Sequence, residues 1–185
     1  AGVSVRTLLI TRGAGADVDW VLLAGTDQGI YRGRDLGVHW ALATEDGMRQ
    51  AVTALTCPAA LPFVLYAALQ ERAIARSVDG GITWEAIPVE LRGGAVTALA
   101  LDPERPGLLY AGTAATIYRS KDMGGHWEEA SRGLVGTHVY DLQRLPNHGD
   151  VLFATTRWGI YRSQDGGAAW QLLADTAPSD ALSLL

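Results

Sequence analysis

The chain repeats itself four times, and this constrains its fold more than any other feature. IYRGRDLGVHW from Ile30, IARSVDGGITW from Ile74, IYRSKDMGGHW from Ile117 and IYRSQDGGAAW from Ile160 align residue for residue, with starts 44, 43 and 43 positions apart. Each follows an apolar stretch (WVLLAGT, FVLYAAL, LLYAGT, VLFATT), itself preceded by an alternating one (VSVRTLLI, AVTALTC, AVTALAL, HVYDLQRL). Short β-type runs recurring at this period are what a propeller blade requires. A helical array would need amphipathic runs of about 10 or more residues with apolar positions 3 and 4 apart, and the chain has none. The expected fold is all-β: a β-propeller of four-stranded antiparallel blades, about four per chain, plus one extra C-terminal strand. The blades fall at approximately 1–47, 48–90, 91–133 and 134–176 of a single propeller or half-propeller domain, and 180–185 reads as an extra inner strand.

Within a unit the turn residues mark the strands. In the second unit Val52–Thr56, Val64–Leu69, Ile74–Ser77 and Trp84–Ile87 are strand-like, punctuated by Pro58, Pro62 and Gly80-Gly81. The first unit opens with a strand expected over Val3–Ile10. The turn between the third and fourth strands carries the most regular chemistry: Ser or Gly, Asp two residues on, Gly two after that, Trp three further. An Asp side chain accepts hydrogen bonds from turn amides, Gly takes positive φ without a steric penalty, and the Trp covers the turn.

This S-x-D-x-G-x-x-W pattern resembles the Asp-box of the BNR-repeat β-propellers, a group that includes sialidases, sortilin-type receptors, propeller xyloglucanases and photosystem assembly factors. Four copies in register cover nearly the whole chain, and the third unit, with its DPxxPxxLYAGT connection, is similar to the family along its length. The first box departs from the pattern with Gly33 in place of Ser, and Ile74-Ala75 lacks the tyrosine of the other units. The resemblance implies that the box is a structural staple. Asp35, Asp79, Asp122 and Asp165 are therefore expected to stabilise turns, with Trp40, Trp84, Trp127 and Trp170 packed over them. One blade apart, the four aspartates are too dispersed to share a metal ion.

Composition excludes several functions. Twenty acidic and fifteen basic residues give a formal charge of -5, the wrong sign for a general phosphate-backbone binder, so no nucleic-acid partner is expected. The basic charge is almost wholly arginine, with Lys121 the one lysine. Cys57 alone makes neither a disulfide nor a zinc cluster. No apolar run approaches the roughly 20 residues of a membrane-spanning helix. The start, AGVSVRTLLI, lacks the features of a signal peptide. The expectation is a soluble chain of open compartment.

The resemblance also implies where a ligand would meet the blades: the loops joining strand two to three and strand four to the next blade. There the repeats stop agreeing. The variable pair before each repeated Ile is Asp27-Gln28, Glu71-Arg72, Ala114-Ala115 and Arg157-Trp158, and the connections between blades add Glu45, Asp46, Arg49, Glu90, Arg92, Arg132 and His138. Trp158 beside Arg157 suits a sugar ring, an aromatic group or a peptide, or else packs on a neighbouring blade. Arg72, Arg92 and Arg157 form a carboxylate or phosphate cluster or remain solvated charges. The expected binding residues are thus Trp158, Arg157, Arg72, Arg92, His138, Asp27 and Gln28.

Enzymatic readings find less support. A sialidase-type set of three arginines, tyrosine and acid cannot be assembled, and the glycosidase pair reduces to Asp27 and Glu71. The histidines at 39, 126, 138 and 148 show no metal-ligand spacing, so neither cofactor nor metal is expected. An open array of blades would leave strand edges and apolar faces in water. The expected partners are therefore a second copy, joined head to tail into a ring, or the missing blades of a longer chain. The leading functional expectation is a non-enzymatic scaffold binding a partner protein or glycan through its variable loop face. The alternatives are a fragment of a propeller glycoside hydrolase and a self-assembling repeat without ligand.

Overall fold

The computed structural model describes residues 2–12, 20–45, 48–58, 60–71, 73–87, 89, 91–102, 104–135, 138–146 and 148–174. The chain divides into two compact units, Ala1–Pro88 and Val89–Leu185. The first unit holds β1 (Val5–Arg12), β2 (Trp20–Thr26), β3 (Gly29–Arg34) and β4 (His39–Leu42), then β5 (Val52–Thr56), β6 (Leu65–Leu69), β7 (Ala73–Ser77) and β8 (Glu85–Ile87). The second holds β9 (Val96–Leu101), β10 (Leu109–Thr113), β11 (Ile117–Ser120) and β12 (Glu128–Glu129), then β13 (Val139–Arg144), β14 (Leu152–Thr156), β15 (Gly159–Ser163) and β16 (Gln171–Ala174). Each group of four is one antiparallel sheet in chain order, the meander of a propeller blade.

The sheets repeat in detail. Val5 pairs with Thr26, Val52 with Leu69, Val96 with Thr113 and Val139 with Thr156, and in every case the register shifts immediately afterwards. A shift at the same place in all four sheets gives each first strand the same local twist. The second strands are buried along most of their length, which is why they read as continuous apolar runs while the first strands alternate.

Within each unit the two sheets face each other across an apolar layer. Leu23, Ile30, Val52, Leu65 and Trp84 belong to the core of the first, and Tyr110, Ile117, Val139, Leu142 and Trp170 to that of the second. Glycine sets the spacing. A Cβ on Gly25 would stand 2.7 Å from Val52 Cγ1, and one on Gly112 would stand 2.6 Å from Val139 Cγ1. The valine that begins one sheet therefore seats on bare backbone of the sheet before it.

Strand ends differ from the sequence reading: β6 begins at Leu65 rather than Val64, and β7 at Ala73 rather than Ile74. The first strand runs Val5–Arg12 rather than Val3–Ile10. Trp84 closes its turn and leaves Glu85 to begin β8. The fourth strand of the third sheet shortens to Glu128–Glu129. The strand expected over 180–185 lies outside the described residues.

Candidate functional site

The S-x-D-x-G-x-x-W turns form closed hydrogen-bond sets. Ser77 Oγ donates to the Asp79 carboxylate at 2.8 Å and accepts the Gly81 amide at 2.9 Å. Asp79 also accepts the amides of Ile82 and Thr83 and, at 2.6 Å, the Thr83 hydroxyl. Burial pushes the Asp79 carboxyl up, but these donors outweigh it and hold the group below its ordinary value. Asp122 meets Ser120, the His126 amide and His126 Nδ1, and the His126 ring does most to hold its carboxyl far down. Asp165 meets Ser163 and the Ala169 amide, and that amide is the main reason its carboxyl is lowered.

The first turn is built differently. Gly33 supplies no hydroxyl, and the Asp35 carboxylate meets His39 Nδ1 at 3.0 Å. Trp84 and Trp170 are buried and Trp127 half-buried, whereas Trp40 is exposed. The indole nitrogens of Trp40, Trp127 and Trp170 donate to the carbonyls of Gly37, Gly124 and Ala130. These contacts engage the turn residues within the scaffold and leave the second-to-third-strand loops to vary.

Those loops rest on a threonine. Thr26 Oγ1 donates to the Gly29 carbonyl and accepts the Gln28 amide, and Thr156 does the same with Gly159 and Trp158. In the third sheet Thr113 spans to Thr116. The threonine fixes the hairpin backbone, so the two residues at its tip change without altering the sheet. At the fourth tip Trp158 is 51% exposed, with the Arg157 guanidinium 6.0 Å from its ring centroid. The Arg157 amide donates to the His138 carbonyl, and the half-buried His138 ring lies 4.8 Å from that of Tyr140. Trp158, Arg157, His138 and Tyr140 thus form one aromatic and cationic end of the fourth sheet. Tyr140 escaped the sequence reading because it sits inside a strand; its place two residues from His138 was the available signal.

The other expected residues occupy separate places. Arg92 lies at the third sheet, where its amide and carbonyl both bond the Tyr118 hydroxyl and its charge helps lower Glu129, after Ser131 and Thr116. In the first unit the Asp27 carboxylate accepts the Ser4 amide, Gln28 occupies the Thr26 hairpin, and the Glu71 amide donates to Gln50 Oε1. Arg72, Asp46 and Glu90 lie outside the described residues. Among the described residues no group of three or more His, Cys, Asp or Glu side chains is placed to hold a metal ion, and no helix is long and apolar enough to cross a membrane.

The sequence reading also missed a buried charge cluster. Asp102, fully buried, accepts Arg105 Nε at 2.5 Å and Arg144 Nη1 at 2.6 Å, while Arg144 Nε and Nη2 are buried without a partner among the described residues. Burial raises the Asp102 carboxyl, but Arg105, the amides of Glu104 and Arg105, and Arg144 bring it below its ordinary value. Beside Arg105 a groove of about 760 Å³ is lined by Tyr110, Arg119, Lys121 and Asp150. Its cations are engaged: Arg105 also bonds Asp150, and Arg119 and Lys121 both reach Glu128.

No protein-family model matches the chain, and no curated protein does. Solved structures do. An ancestral GH74 enzyme superposes with a TM-score of 0.78 at 17% identity, over 95% of this chain and 25% of its own. The GH74 xyloglucanase from Xanthomonas campestris gives 0.71 at 21% identity, over 94% of this chain and 31% of its own. YCF48 bound to D1 peptide gives 0.66 at 20% identity, over 91% of this chain and 52% of its own. The likeness shows the propeller fold. The chain spans between a quarter and about half the length of these proteins.

Proposed function

We propose that the chain is an Asp-box propeller scaffold of four blades, approximately 1–47, 48–90, 91–133 and 134–176, that binds a partner protein or glycan without catalysis. The contact surface is the loop end of the fourth blade. The observation that carries this reading is Trp158, half exposed at a hairpin tip with Arg157 over its ring, on a backbone fixed by Thr156. An exposed indole held in place offers large contact area at small entropic cost, and the adjacent guanidinium adds a directional donor. His138 and Tyr140 extend the platform. Both ligand classes have a counterpart among the similar folds, a xyloglucanase and a peptide-bound YCF48.

Xyloglucan oligosaccharides and the D1 peptide are the first probes, followed by tryptophan fluorescence and calorimetry. Saturable binding of either is expected, weakened about tenfold or more, equivalent to about 1.4 kcal/mol, by Trp158→Ala and less by Arg157→Ala. Unchanged affinity in a folded Trp158→Ala protein would falsify the site. The second reading, part of a glycoside hydrolase, is favoured by the GH74 likeness. It requires release of reducing ends from xyloglucan that Asp27→Asn or Glu71→Gln abolishes. The engagement of the Asp27 carboxylate by the Ser4 amide argues against it.

A further inference from the structure

Each unit shows how one blade grips the next. Arg32 Nε in the first sheet donates to the Gly80 carbonyl in the aspartate turn of the second, and Arg119 Nη1 in the third sheet donates to the Gly166 carbonyl in the fourth. The turn glycines Gly81 and Gly167 press on Leu23 and Tyr110, and Val52 and Val139 seat on Gly25 and Gly112. The same four contacts therefore recur in both units: arginine to turn carbonyl, turn glycine to second-strand side chain, first-strand valine to second-strand glycine, and apolar layer to apolar layer.

Among the described residues, both halves of this grip are also present without their complements. On the fourth sheet Arg162 occupies the place of Arg32 and Arg119, and its Nε is buried without a partner among the described residues, as is that of Arg76 in the second sheet. Phe153, opposite Arg162, is only half-buried where Leu23 and Tyr110 are fully buried. On the first sheet Val5 holds the register position of Val52 and Val139, yet it is 62% exposed where they are 0% exposed. Leu8 and Ile10, which continue the same strand face, are 56% and 55% exposed. The turn of that sheet shares one feature with the others, although Asp35 in it is also left-handed, at φ 51°. Leu36, in the place of Gly80 and Gly166, has φ 54° against their 72° and 66°. A leucine holds this conformation only at a steric cost, and it is the residue of the first turn that stands in the sequence position of the two arginine acceptors.

We infer that a second copy of this chain docks head to tail, the Phe153 and Arg162 face of one fourth blade covering the Val5, Leu8 and Ile10 face of the other's first blade, with Arg162 bonded to the Leu36 carbonyl. The inference rests on the propeller reading of the chain but is independent of the Trp158 site. The occupant is specified by the internal template: the uncovered first sheet matches the face that β5 and β13 present to the preceding sheet, and the fourth sheet supplies the arginine and aromatic side chain that such a face receives. The contact is heterologous, so each copy offers one face of each kind. Thr155, only 2% exposed, stands where Gly25 and Gly112 stand, so the fourth sheet lacks the bare-backbone seat of the two internal contacts.

The test is light scattering on a sizing column with the 185-residue chain over a wide concentration range. A species of twice 19.7 kDa is expected. Leu8→Glu and Arg162→Glu should each weaken self-association about tenfold or more, with the milder Arg162→Ala in the same direction and near-ultraviolet dichroism reporting intact packing. An equimolar mixture of the two glutamate variants should regain a two-chain species, because one complementary pair of faces survives. A wild-type mass of 19.7 kDa at every concentration overturns the inference. So do variants that stay dimeric, or a mixture that stays monomeric. Trp158→Ala should leave the mass unchanged, which separates failure of this interface from failure of the loop site.

Discussion

The Arg144 guanidinium, only 4% exposed, places Nη1 2.6 Å from the carboxylate of fully buried Asp102, and its Nε and Nη2 have no partner among the described residues. Arg144 ends β13 and Asp102 follows β9, so the pair ties the third and fourth sheets together where their first strands finish. A buried arginine is tolerable while its counter-charge is in place and costly once it is removed. Asp102→Asn should therefore destabilise the second unit by about 3–5 kcal/mol, read as a lower urea midpoint. The double change Asp102→Asn with Arg144→Met should recover most of the loss, because no charge is then left buried. A single variant within about 0.5 kcal/mol of wild type would show that the pair is solvated.

The aspartate turns make stability depend on acid. Asp79, Asp102, Asp122 and Asp165 all have carboxyls lowered in the folded chain. Each folded-state value lies below the unfolded one. The stability they contribute is accordingly complete above about pH 4 and is lost as pH falls through the lower folded values. Urea midpoints should be flat with respect to these groups from neutral pH down to about 4 and then fall steeply. Asp79→Asn should shrink the acid-dependent loss.

Two residues beside these aspartates sit in left-handed backbone without being glycine: Leu36 at φ 54° and Met123 at φ 61°. Their counterparts, Gly80 and Gly166, adopt the same region freely. Met123→Gly should stabilise the fold by up to about 1 kcal/mol, read as a raised melting midpoint, once the greater unfolded-state freedom of glycine is offset against the relieved strain. A lowered midpoint would mean that the methionine side chain contributes more than its backbone costs.

Much of this architecture was legible because it is local. The 43- to 44-residue period, the alternation of VTALAL and the S-x-D-x-G-x-x-W spacing each specify a strand or turn through neighbouring residues alone. The pairs that join sheets are not local. Asp102 with Arg144 and Arg32 with Gly80 lie more than forty positions apart, and nothing in a single repeat announces them. Arg144 replaces the Ile10, Cys57 and Leu101 of the other sheets at one register position. That substitution of charge for an apolar or small side chain was the one signal of the buried pair. The loop site was half legible for the same reason: Arg157-Trp158 stood out against the repeat, while the place of Tyr140 emerged only once β13 was paired.

The seating of valine on glycine gives the most direct test of how closely neighbouring blades pack. A methyl on Gly112 would fall 2.6 Å from Val139 Cγ1 and 3.3 Å from Leu142 Cδ1. Both belong to the facing strand, whose side chains are themselves buried, so neither has a free rotamer to retreat into. Gly112→Ala should cost about 1–3 kcal/mol through overpacking, despite the usual gain from replacing glycine in a strand. Pairing it with Val139→Ala should recover part of that cost, since the added methyl then enters the space the valine vacates. Gly2→Ala, where a Cβ meets nothing within 4 Å, is the control and should leave the urea midpoint unmoved. If Gly112→Ala proves as silent as Gly2→Ala, the sheets separate more easily than the packing at Val139 requires.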